Sequence, residues 1–222
     1  MQNNIIHPAK FTDALIPEMA KMLDEFNNGK VLDPFSGTGK IALIKNYGFK
    51  GKIYANEIEK EWIEDNEYGC DYITIQDAEF LDYPEEFFNA ICTSPTYGNR
   101  MADHHNAKDG SKRITYTHCL GHQLNDANTG KMQFGKNYKN KHKQIYKHLF
   151  GLVKHGGIFV LNIKNHIRRG EEVDVVGFHK EALTQSGFTL EEDKVIQTHC
   201  MGFGQNRDKR IHEEHIIKFR KQ

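Results

Sequence analysis

A glycine-rich turn between an apolar strand and a helix limits the folds open to this chain most strongly. Residues 31–40 read Val-Leu-Asp-Pro-Phe-Ser-Gly-Thr-Gly-Lys, and an apolar helical pattern follows at once over 41–44. In such strand–turn–helix units, backbone N–H groups and the helix N-terminus come close to a bound ligand. Two glycines spaced by one residue occur in several kinds of nucleotide and phosphate site, so the turn alone leaves the ligand open.

Strands and helices alternate along most of the chain. The predicted strands are 30–34, 52–56, 71–76, 88–93 and 158–163, with two further candidates at 189–198 and 211–219. The predicted helices are 12–26, 38–47, a polar helix carrying Trp62, 137–152 and 173–186. This alternation predicts an α/β fold with a doubly wound, mostly parallel sheet.

The size and composition of the chain fit one intracellular domain. A chain of 222 residues can build one α/β core but not two comfortable ones. Its formal net charge is +0, so any affinity for nucleic acid must come from a local patch. The cysteines are scattered without paired spacing, which suits a reducing compartment. No apolar run approaches the roughly 20 residues of a membrane span, and no signal-peptide pattern occurs. We therefore expect a cytoplasmic protein.

Acidic residues end the first three predicted strands, at Asp33, Glu57 and Asp77. Ligands of open α/β sheets lie at the carboxyl ends of the strands, and an acid about 20 residues past a glycine turn suits a ribose. Glu57 lies 18 residues after Gly39, and Asp77 or its backbone could then reach an adenine amine. Each acid alone could simply close its strand. The three together with the turn favour a nucleoside cofactor.

A second motif, Ser94-Pro95-Thr96-Tyr97, directly follows the fourth predicted strand. With Asp-Pro-Phe-Ser-Gly-Thr-Gly at 33–39, it resembles the S-adenosylmethionine-dependent amino-methyltransferases of nucleic acids. The motifs of that family are Asp-Pro-Phe-x-Gly-x-Gly and Ser, Asp or Asn followed by Pro-Pro-aromatic. The segment 7–11, His-Pro-Ala-Lys-Phe, resembles the family's methionine-binding motif. The likeness covers roughly residues 5–219, leaves 98–136 without a shared motif, and suggests a small, phage- or prophage-like member.

This resemblance implies a Rossmann-like class I methyltransferase fold with an antiparallel C-terminal strand, and S-adenosylmethionine as the cofactor. The residues that it places around the cofactor are Lys10, Phe11, Asp33, Phe35, Ser36, Gly37, Gly39, Glu57 and Asp77. The residues that it makes catalytic are Ser94, Pro95 and Tyr97. Ser94 and the Pro95 carbonyl would accept hydrogen bonds from the target amine, while Tyr97 would stack on an extruded base. No metal is implied.

Physical chemistry agrees with these roles. The lone pair of an aryl amine is delocalised into its ring, and two acceptors on its N–H groups can free that pair for attack on a methyl donor. An aromatic face offsets part of the cost of taking the base from its stack. Thr96 stands where the family has a second proline. Because proline fixes φ, we expect threonine to hold Ser94 and Tyr97 less rigidly.

The segment 98–143 carries nine basic residues against three acidic ones, which fits contact with phosphates. Residues 98–136, predicted to be an inserted loop region, are the candidate for substrate recognition. The residues expected to bind nucleic acid are Arg100, Lys112, Arg113, Lys131 and Lys136. The histidines of this segment have only Cys119 beside them. A structural zinc site normally needs four ligands with paired spacing, so polar loop histidines are the favoured interpretation.

The sequence favours one function over three alternatives. The favoured one is site-specific methylation of DNA at cytosine N4, ahead of adenine N6, as in restriction–modification systems. The alternatives are an RNA methyltransferase of the tRNA guanine-N2 type, a catalytically silent partner protein that binds S-adenosylmethionine, and a dinucleotide-dependent oxidoreductase. The last lacks the third glycine at the usual spacing and leaves 94–97 unexplained.

Overall fold

A seven-stranded sheet organises the protein in the computed structural model, which describes residues 7, 11–98, 115–168, 170–198 and 210–222. The strands are β1 (Lys30–Asp33), β2 (Lys52–Asn56), β3 (Tyr72–Thr74), β4 (Phe88–Thr93), β5 (Val153–Ile163), β6 (His166–Arg168), β7 (Glu171–Val173), β8 (Phe188–Gln197) and β9 (Glu213–Lys221). The α-helices are α1 (Ile16–Met22), α2 (Lys60–Ile63), α3 (Tyr116–Leu120), α4 (Lys136–Leu152) and α5 (Val175–Gln185).

The strand order in the main sheet is β3-β2-β1-β4-β5-β9-β8, and β6 with β7 forms a separate hairpin. Strands β1 to β5 pair in parallel, whereas β9 pairs antiparallel with both β5 and β8. The predicted doubly wound sheet with an antiparallel C-terminal strand is therefore confirmed. The strand order reverses between β1 and β4, and their two following loops diverge from that point. In open α/β sheets this crevice is where ligands bind.

Both faces of the sheet are covered, which explains why its inner strands are apolar throughout. Neighbouring residues of a strand point to opposite faces. Leu32, Ile91 and Phe159 pack with the helices α4 and α5. Val31, Ala90 and Val160 pack with α1 and the 3-10 helix Lys40–Tyr47 on the other side.

Two local predictions were wrong, and one hairpin was missed. The helix predicted over 38–47 is a 3-10 helix that begins at Lys40. The strand predicted over 158–163 begins earlier, at Val153, so that Gly156-Gly157 lies inside β5, where the register with β4 shifts. A Cβ on Gly157 would come within 2.7 Å of the Asn89 carbonyl oxygen, so this irregular pairing requires a glycine. The hairpin of β6 and β7 was not predicted at all.

The region 98–136 is less irregular than expected in the part that the structure describes. It holds α3 and a 3-10 turn, Thr129–Lys131. Tyr116, Leu120 and Leu124 form a small apolar cluster with Trp62 from α2, which anchors this segment beside the glycine turn. Within the described ranges, no helix is both long and apolar enough to cross a membrane.

Phe159 provides a test of the core. Its side chain is 0% exposed at the centre of the sheet, so Phe159→Ala should lower the free energy of unfolding by about 3–5 kcal/mol. Urea denaturation measures this change. The exposed Val195 on the edge strand β8 is 48% accessible, and Val195→Ala should stay within about 0.5 kcal/mol of wild type. Equal losses in both variants would contradict the packing described.

Candidate functional site

The glycine turn after β1 adopts a backbone shape that other residues rarely take. Gly37 and Gly39 have φ angles of +53° and +81°, in the left-handed region where a Cβ is disfavoured. A Cβ on Gly39 would also lie 2.8 Å from Cys70 Sγ and 3.0 Å from Ile63 Cδ1. The two glycines therefore allow a tight concave turn at the carboxyl end of β1.

Asp33 is the most deeply buried acid of the site, with 1% of its surface exposed. The Thr93 hydroxyl donates to its carboxylate at 2.6 Å, and the backbone N–H of Phe35 donates at 3.1 Å. Burial raises the pKa of Asp33 to about 7, although both donors act to lower it. The carboxylate thus connects the end of β1 to the end of β4, directly before Ser94.

Glu57, at the end of β2, is held by the backbone. Its Oε2 accepts from the Gly37 N–H at 2.8 Å, and its Oε1 accepts from the N–H groups of Ile58 and Glu59 at 2.9 and 3.2 Å. Burial raises the pKa of Glu57 to about 7 against the lowering effect of these donors. The carboxylate therefore faces the glycine turn with a fixed orientation.

Asn56 joins three loops at this edge of the sheet and was missed by the sequence prediction. Its backbone oxygen accepts both the N–H and the hydroxyl of Ser36, at 3.0 and 2.9 Å. Its buried side-chain amide donates to the carbonyls of Pro34 and Gln76 at 3.2 and 2.9 Å. The Ser36 hydroxyl is therefore engaged in shaping the turn. An asparagine at a strand end is the only sequence signal of this role.

Asp77 lies at the end of the next loop and is paired with a lysine. Its Oδ1 caps the 3-10 helix Ala78–Phe80 by accepting the Glu79 N–H at 3.0 Å. Its Oδ2 contacts Lys141 Nζ at 2.6 Å, and Lys141 also reaches Glu79 at 2.5 Å. Lys141 was counted among the cations of the basic segment, but its charge is largely neutralised by these two carboxylates.

Phe11 is drawn towards the glycine turn through its backbone. The Lys40 ammonium, directly after Gly39, donates to the Phe11 carbonyl at 2.6 Å and pairs with Asp13 at 2.6 Å. This brings the end of the N-terminal arm close to the turn. Lys10, predicted to bind the cofactor, lies outside the described residues.

His7 packs over the same turn from the N-terminal arm. Its ring centroid lies 4.6 Å from that of Trp62 and 5.3 Å from that of Tyr116. The nearest atom to a Cβ on Gly37 would be His7 Nε2, at 3.3 Å. The arm, α2 and α3 therefore meet above the glycine turn.

The motif after β4 begins with Ser94, whose hydroxyl oxygen accepts from Asn162 Nδ2 at 3.2 Å. Asn162 lies near the end of β5, is 0% exposed, and its Oδ1 has no hydrogen-bond partner among the described residues. Pro95 is buried, whereas Ser94 is partly exposed. Asn162 was not predicted, although it is the only polar residue of the apolar run 158–163.

Tyr97 and Phe35, from the two diverging loops, are both partly buried against the core cluster beneath the site. Between Ser94 and Tyr97, the Thr96 hydroxyl contacts that of Thr129 at 3.0 Å, which ties the motif to the inserted region. The strand-end acids, the glycine turn and the 94–97 motif, predicted from separate stretches, thus line one edge of the sheet.

The predicted nucleic-acid residues are placed only in part. Lys131 pairs with Asp126 at 2.5 Å, whereas Lys136 is exposed at the start of α4. Arg100, Lys112 and Arg113 lie outside the described residues. In the described ranges, no three His, Cys, Asp or Glu side chains gather as a metal site.

No protein-family model matches this sequence, and no curated protein matches it. Solved structures do match. TrmN from Thermus thermophilus aligns with a TM-score of 0.53 and 18% identity, over 93% of this chain and 49% of TrmN. The chain therefore spans about half the length of that protein. A putative S-adenosylmethionine-dependent methyltransferase from Listeria monocytogenes aligns at 0.54 and 15% identity, over 95% of this chain and 100% of its own.

The [4+2]-cyclase SpnF also matches, with a TM-score of 0.59 and 13% identity, over 96% of this chain and 83% of SpnF. At such identities the likeness establishes the fold, and function has to be argued from the site. The chain has the Rossmann-like fold of S-adenosylmethionine-dependent methyltransferases.

Asp33 makes the stability of the protein depend on pH in a definite direction. The folded protein keeps the Asp33 proton up to about pH 7, while the ordinary aspartate value is 3.8. Between these values the folded state binds more protons, so the free energy of unfolding falls as the pH rises. Asp33→Asn removes this titration and keeps an acceptor for Thr93. The stability of wild type relative to Asp33→Asn should therefore decrease from about pH 4 to about pH 8.

Urea denaturation at several pH values in that range measures the difference in the free energy of unfolding between the two proteins. At an unchanged m-value, a shift of the denaturation midpoint reports a change in stability. Glu85→Gln at an exposed site is the control, and its curve should run parallel to that of wild type. A constant or growing difference for Asp33→Asn would show that the Asp33 carboxyl is ionised throughout.

Proposed function

We propose that the protein transfers a methyl group from S-adenosylmethionine to the exocyclic amine of a base in DNA, with cytosine N4 favoured over adenine N6. The observation that carries the proposal is the junction of two motifs at the point where the strand order reverses. The Thr93–Asp33 hydrogen bond sets the glycine turn beside the 94–97 motif. A donor site and an acceptor site for one group transfer would then share a single crevice.

The described residues fit S-adenosylmethionine as the cofactor. Gly37 and Gly39 leave the two positive-φ positions of the turn without a Cβ, and the hydroxyl of Thr38 between them is buried without a hydrogen-bond partner among the described groups. Asp33, Phe35 and Ser36 shape this turn from one side and Phe11 approaches it from the arm. When bound, the cofactor would supply an electrophilic methyl group on its sulfonium.

Glu57 and Asp77 would hold the nucleoside portion. Each oxygen of a carboxylate can accept more than one hydrogen bond, so Glu57 can accept ribose hydroxyls while it keeps its backbone donors. Asp77 already shares its carboxylate with Lys141. Its free acceptor sites and the adjacent backbone would face the adenine amine.

Ser94 and Pro95 would activate the target. The Ser94 oxygen and the Pro95 carbonyl would accept hydrogen bonds from the two N–H groups of the amine, which leaves the nitrogen lone pair available for in-line attack. Transfer of the methyl group would release S-adenosylhomocysteine and one proton from the nitrogen. Asn162 fixes the position of the Ser94 hydroxyl through their contact. Tyr97 offers an aromatic face to a base that has left its stack.

RNA is the second candidate substrate. The likeness to TrmN favours it, whereas the Ser-Pro-x-aromatic pattern at 94–97 favours DNA. On α4, the exposed Lys136, Lys143 and Lys147 could contact the phosphates of either nucleic acid.

Incubation with methyl-labelled S-adenosylmethionine and either duplex DNA or total RNA, followed by nucleoside analysis, separates the candidates. N4-methylcytosine in DNA is the expected product. N6-methyladenine would change the base assignment, and methylated guanine in RNA would replace the DNA proposal. Cofactor binding without labelled product in any nucleic acid would identify a catalytically silent protein.

Ser94→Ala should lower the rate of methyl transfer on the order of 10²-fold, because the variant lacks one of the two acceptors for the amine. Binding of S-adenosylhomocysteine, measured by calorimetry, should change by less than about twofold. The matched control is Ser186→Ala, whose hydroxyl donates to the Ala182 carbonyl at the end of α5. Full activity of Ser94→Ala would remove Ser94 from the mechanism.

A further inference from the structure

Three aromatic side chains form a buried hydrogen-bonded chain below the 94–97 motif. The Tyr138 hydroxyl lies 2.5 Å from the Thr96 carbonyl oxygen and 2.9 Å from His179 Nε2. The Tyr146 hydroxyl lies 2.6 Å from His179 Nδ1. All three rings are 0% exposed, so these direct contacts connect α4, α5 and the loop out of reach of bulk solvent.

The direction of these hydrogen bonds is fixed by the end that meets the loop. A carbonyl oxygen can only accept a hydrogen bond, so the Tyr138 hydroxyl donates its single hydrogen to the Thr96 carbonyl. Its oxygen must then accept from His179 Nε2–H. Burial lowers the pKa of His179 well below its usual value, and in the neutral ring Nδ1 accepts from Tyr146. Every donor therefore points towards Thr96. Hydrogen bonds aligned in this way polarise and strengthen one another.

His142 connects this chain to the glycine turn. Its ring centroid lies 4.3 Å from Tyr138, 4.9 Å from His179 and 5.6 Å from Phe35. The ring is 0% exposed, and neither nitrogen has a hydrogen-bond partner among the described residues. Burial lowers its pKa to about 3. A neutral ring thus fills the space between Phe35 and the hydrogen-bonded chain, so both loops of the site rest on one support.

Thr96 is the residue at which the 94–97 motif departs from the family pattern. Proline at this position would stiffen the loop by fixing φ. Here the Thr96 carbonyl is held by Tyr138 and the Thr96 hydroxyl by Thr129, at 3.0 Å. Hydrogen bonds on both sides of the residue can provide the rigidity that threonine itself does not.

We propose that the chain Tyr146–His179–Tyr138 positions the 94–97 motif for methyl transfer and takes the place of the missing proline. Its consequence for turnover rests on the proposed function, whereas its effect on the loop does not. Tyr138 and His179 are positioning residues, because they act through the Thr96 backbone and not on the target base.

Tyr138→Phe removes the donor to Thr96 and should lower kcat by about 10- to 100-fold, the cost of misplacing a reacting group. The KM for S-adenosylmethionine should stay within about twofold, since the glycine turn is untouched. Tyr146→Phe leaves the Tyr138–Thr96 bond in place and should have a smaller effect on kcat. The matched control is Tyr83→Phe in the aromatic cluster with Tyr54 and Phe87, which should leave kcat unchanged.

Rescue separates positioning from a general structural role. Thr96→Pro keeps the Thr96 carbonyl and stiffens the loop, so Thr96→Pro alone should transfer methyl groups as fast as wild type or faster. Combined with Tyr138→Phe, it should restore most of the lost kcat. A loss of kcat that Thr96→Pro does not restore, or a Tyr138→Phe variant with wild-type kcat, would overturn the proposal.

Hydrogen exchange tests the proposal without activity. In Tyr138→Phe, the backbone amides of residues 96–98 should exchange at least about tenfold faster than in wild type, with Tyr146→Phe in between and Tyr83→Phe unchanged. Unchanged exchange in Tyr138→Phe would overturn the positioning role. If wild type transfers no methyl group but exchange responds as expected, the proposed function fails and the positioning chain stands.

Discussion

The hydrogen bond between Thr93 and Asp33 is the contact on which the candidate site depends. It joins the ends of β1 and β4, the two neighbouring strands whose loops turn in opposite directions. A carboxyl group that is 1% exposed would be strongly unfavourable without hydrogen-bond partners. The Thr93 hydroxyl and the Phe35 N–H provide them. The same bond that stabilises the buried acid therefore sets the distance between the glycine turn and the 94–97 motif.

Features set by local patterns could be predicted from the sequence. The strands β1, β2 and β4 are short apolar runs between turn residues, and Asp33 and Glu57 lie at strand ends as predicted. Asp77 lies three residues beyond the end of β3 at Thr74, where it caps the 3-10 helix Ala78–Phe80. Features set by distant partners could not. The start of β5 at Val153 depends on how Gly157 fits against the Asn89 carbonyl. The pairing of Lys141 with Asp77 joins residues 64 positions apart.

The buried polar residues show where sequence reasoning stops for a physical reason. Tyr138, His142 and Tyr146 recur every four residues on α4, and this spacing indicates a shared helix face. The same spacing cannot tell whether that face meets solvent or another polar ring. The partner of this face is His179 of α5, which hydrogen-bonds both tyrosines. From the sequence alone, a histidine in an apolar helix is interpreted as an ordinary buried residue. Its role becomes visible only when its two hydrogen-bond partners are known.

The fold itself leaves the reaction undecided, since it is shared by a protein described as a putative methyltransferase and by one described as a [4+2]-cyclase. What separates such reactions is the set of groups at the strand ends. Transfer to an aryl amine needs two acceptors in fixed positions, and an acceptor that moves by an ångström loses much of its effect. In this chain the two proposed acceptors, Ser94 and the Pro95 carbonyl, belong to one loop, which is held at Ser94 by Asn162 and at Thr96 by Tyr138. Amine methylation, as proposed, therefore depends as much on how that loop is held as on which residues it contains.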